Sequence, residues 1–494
     1  MTEVPKIGAH LRPFSDASAE AERAGHEVAR IYARYLETLA LHPQPPGGRI
    51  DPGRSRRDQH DFFGGSLGEE GIGLLPAVKE FEREVLPRSM GTPHPMYMGL
   101  VNCSPLPAAP LADLLVSAIN NNGGAVHQSP AGYAAETELV RAFSAICYGN
   151  ADTAKGLLLA GGTYANLQGI LLARARHFPQ WCKSGPGALR GQPRIYASES
   201  SHFSVSRSAE VAGLGKTGTR SIPTTGRGAM DAEALAGKIA ADKAAGDLPF
   251  FVVATAGTTG TGAIDPVTRI ADICEREGLW LHVDACYGGA VRLLDPPFPG
   301  LDAMARADSI AVDPHKWFFM PITSAMFLCR HHNADHAAFD FSASYLPFAE
   351  AEDAYRRSVP SSRRNSALTV WMTLRAHGWR VIRETVGRNI ALTRRLEQGL
   401  AARGFIVLAD GQLSIACARW EPQDLSPTAR DEVQREISRR CVDSGETWFA
   451  TVAHAGQTWL RFNIVNLYVQ DHHIDTVVAL VHATAQAIDR AGAP

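Results

Sequence analysis

Lysine is scarce in this chain: eight of its 49 Lys and Arg residues are lysines, and beyond Lys243 the only one is Lys316, in ADSIAVDPHKWFF. An amine flanked by His315 and Trp317 in apolar company is suited to a lowered pKa and to nucleophilic attack, with Schiff-base formation as its chemistry. A lysine merely reaching out to water is the plainer reading, but solvated positive charge elsewhere in this chain is carried mostly by arginine. Asp284 closes the apolar run LWLHVDA. A carboxylate there is costly unless a cation or several N–H donors satisfy it. A protonated ring nitrogen would do so, and so would a helix start near Cys286-Tyr287-Gly288. Gly161-Gly162-Thr163 follows the run GLLLA and opens a helical segment. Its free N–H groups and hydroxyl, with the helix dipole, could cradle a phosphate; the same turn also serves as an ordinary tight connection. His202, in ASESSHFSVSRSAE, and Thr258-Thr259, in ATAGTTGTGAIDP, complete the candidates. Taken singly, they would also serve as a structural histidine and as turn residues.

These residues share a position: each follows a short apolar run. The runs are GLLLA (156–160), RIYAS (194–198), PFFVVATA (249–256), LWLHVDA (279–285), DSIAVD (308–313) and SAMFLC (324–329). Helix-like segments such as YANLQGILLARARHF and DPVTRIADICEREG lie between several of them. Continuous apolar strands alternating with amphipathic helices imply an α/β fold with a mostly parallel sheet covered on both faces. Ligands of such sheets sit beyond the carboxyl ends of the strands, which is where the candidates fall. Residues 1–90 read as helices followed by a Pro/Gly/Arg-rich stretch, PQPPGGRIDPGRSRRD; residues 91–366 form the large α/β domain. From 367 to 494 long helices and short strands (FIVLAD, LSIACARW, TWLRFNIVN) predict a smaller α+β domain.

Three competing motifs fail. Gly215-Lys216-Thr217 ends like a P-loop, but Glu210 occupies the place of the leading glycine. Gly257, Gly260 and Gly262 have the wrong spacing for a dinucleotide fingerprint, which removes a dehydrogenase reading. His332 and His336 have helical spacing but lack the glutamate of a zinc protease, so no metal is expected.

Composition narrows the class further. Hydrophobic residues at 45% and charged ones at 20% describe a soluble globular chain, and a net charge of −2 argues against nucleic acid as a partner. The longest uncharged stretch, Ser89 to Ala112, is broken by five prolines and cannot span a membrane; the N-terminal residues have no apolar signal core. The eight cysteines show no CxxC pair, so a cytoplasmic protein with reduced thiols is expected.

The segments GGTYANLQG, SHFSVSRSAE, ATAGTTGTGAIDP, HVDACYGGA and ADSIAVDPHKW together resemble the group II pyridoxal-phosphate-dependent amino-acid decarboxylases, from about residue 90 onward and in that family's order. The family includes aromatic-L-amino-acid, glutamate, cysteine-sulfinate and diaminobutyrate decarboxylases. The resemblance implies a fold-type I transferase-like architecture, pyridoxal 5'-phosphate as cofactor, and a homodimer with a shared active site wrapped by the N-terminal segment. It implies that Lys316 holds the cofactor, that Asp284 pairs with the pyridine nitrogen, and that His202 stacks on the ring. Gly162, Thr163 and His315 are similar to phosphate-side contacts, with Asp313 beside them, and Thr259 resembles a threonine near Asp284. Tyr345, in SASYLP, resembles the tyrosine of a mobile catalytic loop, and Arg363 resembles the arginine that follows it, on the substrate side.

Some positions depart from the family pattern. Cys286 stands where a small alanine is usual, Asp313 where many members have Asn, and Tyr164 where an acidic residue is common; the segment from Tyr345 to Arg363 is short. The implied reaction is decarboxylation of an L-amino acid to its amine, with Tyr345 returning a proton to Cα. Oxidative decarboxylation-deamination to an aldehyde, transamination and a silent cofactor-binding protein are the rivals, and Tyr345 speaks against the aldehyde route because aldehyde formers of the family carry phenylalanine there. The strip HPMYMGLVNCSPLP offers Met96, Tyr97 and Met98 but no Lys or Arg, which favours an aromatic or apolar substrate side chain over an acidic one.

Overall fold

The computed structural model describes residues 14–41, 69–339, 341, 350–409 and 411–491. Its centre is a seven-stranded sheet of β1 (Lys155–Leu159), β2 (Pro193–Ser198), β3 (Thr219–Ile222), β4 (Leu248–Thr255), β5 (Trp280–Asp284), β6 (Ser309–Val312) and β7 (Ala325–Cys329). The strand order is β1-β7-β6-β5-β4-β2-β3. Strand β7 runs antiparallel to both of its neighbours, and every other pairing is parallel. Strands β5, β6 and β7 are buried along their whole length, which is why they read as unbroken apolar runs.

Two hydrophobic layers cover the sheet, one on each face. One contains Leu158, Val252, Val283, Ile310 and Trp317; the other contains Leu157, Phe251, Trp280, Phe327 and the buried side of α3 (Gly162–His177). Strand β3 was not expected, because TRSI is a partly exposed edge strand with a polar majority and leaves no apolar run.

A second, antiparallel sheet of four strands lies in the C-terminal part: β8 (Ile406–Val407), β9 (Ile415–Arg419), β10 (Ala450–His454) and β11 (Gln457–Asn463), in the order β8-β9-β11-β10. Helix α4 (Ser366–Ala401) joins the two bodies. It is broken at Gly378, whose φ of 71° and ψ of 168° are not helical. Ahead of the break, Ala367 and Val370 pack into the large core. Near the far end, Leu392, Leu396 and Leu400 pack into the small one. Met96 and Met98 also belong to the small core, so the chain just before the large sheet is stitched into the C-terminal unit. The N-terminal helices α1 (Phe14–Leu41) and α2 (Leu74–Glu80) pack against each other. Among the described residues no helix is long and apolar enough to cross a membrane.

Candidate active site

The parallel strands bring their carboxyl ends to one edge of the sheet, and the candidate residues gather there. Asp284 is the last residue of β5, Asp313 follows β6, and Gly162 opens α3 just after β1. His202 lies four residues beyond β2. The approach is tight at the helix start: a Cβ on Gly162 would fall 2.7 Å from Cys286 Sγ and 2.9 Å from Asp313 Oδ2, so only glycine lets the turn come this close.

Lys316 differs from expectation in its electrostatics. Its Nζ lies 2.9 Å from Asp313 Oδ2, and the side chain is 22% exposed. Burial works against the ammonium, but the Asp313 and Asp284 carboxylates outweigh it and raise the pKa. The apolar flanks that suggested a lowered value are overridden by a carboxylate three residues away. Asp313 is itself 1% exposed, and its Oδ1 has no partner among the described residues. His315 Nε2 lies 3.8 Å from Asp313 Oδ2, and its Nδ1 donates to the Ser324 carbonyl at 2.6 Å.

Asp284 is 6% exposed. Burial alone would raise its pKa; the Lys316 charge and a hydrogen bond from Asn166 hold it below the usual carboxylate range instead. Asn166 Nδ2 donates to Asp284 Oδ2 at 3.1 Å, and the Cys286 backbone N–H donates to Oδ1 at 3.2 Å. His202 is half-buried and its pKa is lowered, by burial and then by the Lys316 charge, so its imidazole is neutral. Cys286 is buried and its thiol pKa is pushed well up by desolvation, so it stays protonated and inert.

The remaining expected residues are placed as follows. Thr163 is exposed at the start of α3, beside Tyr164, and Thr259 is half-buried with its carbonyl accepting from Arg461 Nε at 3.0 Å. Tyr97 is 3% exposed and stacks on Trp448 with ring centroids 5.2 Å apart, its hydroxyl accepting from the Leu100 N–H. Tyr345 lies outside the described residues. Arg363 is remote from open solvent, and all five of its N–H donors are engaged. They reach both oxygens of Glu136, the Leu158 carbonyl, and the Gly123 carbonyl twice. This arrangement is a structural clamp with no donor left over for a substrate.

Two features escaped the sequence reading. Arg461, on β11, is 4% exposed; it donates to the Gly99, Thr259 and Gly260 carbonyls, while its second terminal nitrogen has no partner among the described residues. A buried polar chain also runs beneath Asp284, through Asn166, His282, Ser309 and Trp280. The signal for it was present: Trp280, His282 and Asp284 alternate along β5 and therefore share one face, an unusual polar stripe in a buried strand.

A lysine side chain, a buried carboxylate and a helix N-terminus on one sheet edge fit a ligand that carries an aldehyde, a basic ring nitrogen and a phosphate. The conserved domain of pyridoxal-dependent decarboxylases matches residues 83–420. The chain belongs to the pyridoxal-dependent decarboxylase family. It is 27% identical over 494 residues to an L-2,4-diaminobutyrate decarboxylase of Acinetobacter baumannii, covering 95% of this chain and 94% of that one. It is 32% identical over 352 residues to the cysteine sulfinic acid decarboxylase of Rattus norvegicus, covering 69% and 70%. The crystal structure of Oryza sativa TDC with PLP and tryptamine superposes with a TM-score of 0.86 over 98% of this chain and 99% of that one, at 24% identity, a likeness of fold. This decarboxylase is thus a pyridoxal-phosphate-dependent carboxy-lyase acting on an amino acid, on a fold-type I scaffold, as the segments around Lys316 and Asp284 imply.

Proposed function

We propose that the decarboxylase acts on an L-amino acid with an aromatic or apolar side chain, releasing the amine and CO2. One observation carries the side-chain class: the strip from His94 to Pro107 has no Lys or Arg. It is tied at Gly99 to Arg461 and at Cys103 to the His315 carbonyl, so it passes along the site. A second reading, an acidic side chain, is favoured by Arg461, whose unpartnered buried nitrogen suits a carboxylate or sulfinate. Mass spectrometry of products from a panel of L-amino acids tests both. Tryptamine- or tyramine-type amines support the first reading, whereas preferred turnover of an acidic substrate that is lost in Arg461→Met overturns it.

Bound pyridoxal phosphate supplies an electron sink for the pair left when CO2 departs. The chain's own residues do the rest. Lys316 would supply the amine that holds the cofactor's aldehyde. Asp284, held ionised by its donors, keeps a proton on the ring nitrogen. His202, with its neutral imidazole, and Thr259 would hold the ring, and Gly162, Thr163 and His315, with Asp313 beside them, would hold the phosphate. Tyr345 returns a proton to the substrate Cα as general acid. In aerated solution, with O2 as the oxidant, Tyr345→Phe is expected to divert the product from amine to aldehyde and ammonia; a variant making only amine at the wild-type rate would remove that role.

The enzyme works as a homodimer in the cytoplasm in this reading. The exposed Leu111, Leu114, Leu115 and Ile119 on the helix Ala108–Ile119, with the exposed Val28 and Phe81 of the N-terminal segment, give the apolar surface a second copy would cover. All eight cysteines are unpaired, as a reducing compartment requires. Mixing Lys316→Ala with Tyr345→Phe protein tests the shared site: restored amine formation supports a tyrosine supplied across subunits, and no restoration counts against it.

A further inference from the structure

We propose that Asn166 is a positioning residue that fixes the protons on two histidines, His202 and His282, and the orientation of Asp284, so that the three act as one unit. The inference rests on the placement of Asp284 and His202 at the cofactor ring, and it adds a residue and a proton inventory to that placement.

The inventory follows from the end of the chain that admits no choice. The indole N–H of Trp280 can only donate, and it donates to Ser309 Oγ at 2.8 Å. Ser309 Oγ also lies 2.8 Å from His282 Nδ1. His282 is fully buried, and desolvation lowers its pKa to about 4, so the ring is neutral and one nitrogen must accept. His282 Nε2 lies 3.0 Å from Asn166 Oδ1, which has no hydrogen to give. The proton therefore sits on Nε2, Nδ1 accepts, and the Ser309 hydroxyl is its donor.

Asn166 then has its carbonyl occupied and two amide hydrogens left. They go to Asp284 Oδ2 at 3.1 Å and to Ser204 Oγ at 3.0 Å. A flipped amide would set its oxygen against an ionised carboxylate and its NH2 against an N–H, so the orientation is dictated by both neighbours. Ser204, having accepted from Asn166, donates its own hydrogen to His202 Nδ1 at 2.8 Å. The Ser204 backbone N–H points to the same nitrogen at 3.3 Å. His202 is thereby an Nε2–H imidazole, with its proton on the edge away from the network. Six side-chain hydrogen bonds run in one direction from Trp280 and split at Asn166 into an Asp284 arm and a His202 arm.

The backbone is arranged to permit this. Ser309 is paired with His282 across β5 and β6, and Asn166 lies on α3, one turn beyond Gly162. One turn further along α3, a Cβ on Gly169 would fall 3.0 Å from His282 Nδ1, so glycine there lets the helix settle onto the imidazole. No other residue type at 166 has one acceptor and two donors in this geometry at this length. Aspartate keeps the acceptor for His282 but loses both donors; leucine loses all three.

The test uses protein labelled with 15N-histidine, loaded with and freed from cofactor, with His202→Gln and His282→Gln variants to assign the signals. Two-bond proton–nitrogen correlations report which nitrogen is protonated. In cofactor-free wild-type protein both histidines are expected as Nε2–H tautomers. Asn166→Asp is expected to leave His282 unchanged, to release His202 into a mixture, and to weaken pyridoxal-phosphate binding by at least tenfold with unchanged circular dichroism. An Nδ1–H tautomer for His202 in the wild-type protein overturns the inference without recourse to any variant. So does an Asn166→Asp protein whose His202 signals and cofactor affinity match wild type. If the tautomers are as derived but Asp284→Asn leaves cofactor affinity untouched, the hub stands and the placement of Asp284 at the ring is what fails.

Discussion

Replacing Arg363 by methionine separates two roles that the sequence alone leaves together. By resemblance the residue belongs on the substrate side; in the structure its side chain is 10% exposed against a Glu136 that is 8% exposed, with both guanidinium–carboxylate contacts at 2.7 Å. Glu136 additionally accepts the Leu158 N–H at 2.6 Å, and Arg363 donates to the Leu158 carbonyl at 2.9 Å. The pair therefore pins both backbone groups of Leu158, two residues before the turn that opens α3. Removing one partner of a buried ion pair leaves the other charged and unpaired, which costs about 3–5 kcal/mol. The stranded Gly123 and Leu158 carbonyls add to this in a non-additive way. At 1.4 kcal/mol per decade this is roughly a 10²- to 4 × 10³-fold loss in the equilibrium that holds the region folded.

Urea unfolding of the cofactor-free protein, followed by tryptophan fluorescence, should show an earlier midpoint for Arg363→Met. The double variant Arg363→Met/Glu136→Leu should recover most of the loss, because an apolar replacement of both partners leaves no buried charge. Cofactor affinity should fall with stability, since Leu158 positions the Gly161–Gly162 turn. An unchanged midpoint with a raised KM and normal cofactor affinity would refute this reasoning and return Arg363 to the substrate.

Three further outcomes are expected. Lys316→Ala should abolish turnover and the visible absorbance that covalent attachment of the cofactor produces; an active, coloured variant would remove Lys316 from the chemistry. Asp313→Asn should speed cofactor capture at neutral pH, because the 2.9 Å ion pair that keeps Lys316 protonated is gone; stopped-flow absorbance that is unchanged or slower would contradict this. His282, whose pKa is lowered from 6.5 to about 4 by burial, is neutral when folded but takes up a proton below pH 6.5 when unfolded. Its contribution to stability is present above pH 6.5 and is lost as the pH falls towards 4, so urea midpoints should decline across that window. The decline should be shallower in His282→Gln, with His473, His202 and His177, all lowered by burial, contributing to what remains.

What the sequence conveys is governed by how local the physics is. Six of the seven central strands announce themselves because burial on both faces demands continuous apolar runs, and the site residues follow because parallel strands deliver their carboxyl ends to one edge. Strand β3 is silent because an edge strand needs no such run. The break at Gly378 is silent because apolar residues of the large core continue on both sides of it, Ala367 and Val370 before and Ile382 and Val386 after. The site divides along the same line. Lys316 and Asp284 are legible by type and position, whereas the raised pKa of Lys316 depends on which neighbour its ammonium turns toward, apolar Trp317 or charged Asp313. Arg363 meets a partner 227 positions away, and Asn166 meets His282 at a separation of 116. Neither pairing leaves a trace in spacing, since a helix docking on a sheet brings together residues whose separation is set by loop length alone. Only the alternation of Trp280, His282 and Asp284 points inward from the sequence, because two polar-capable groups on the buried face of a strand beneath a carboxylate require partners, which the adjacent strand supplies through Ser309 and the helix crossing that face through Asn166.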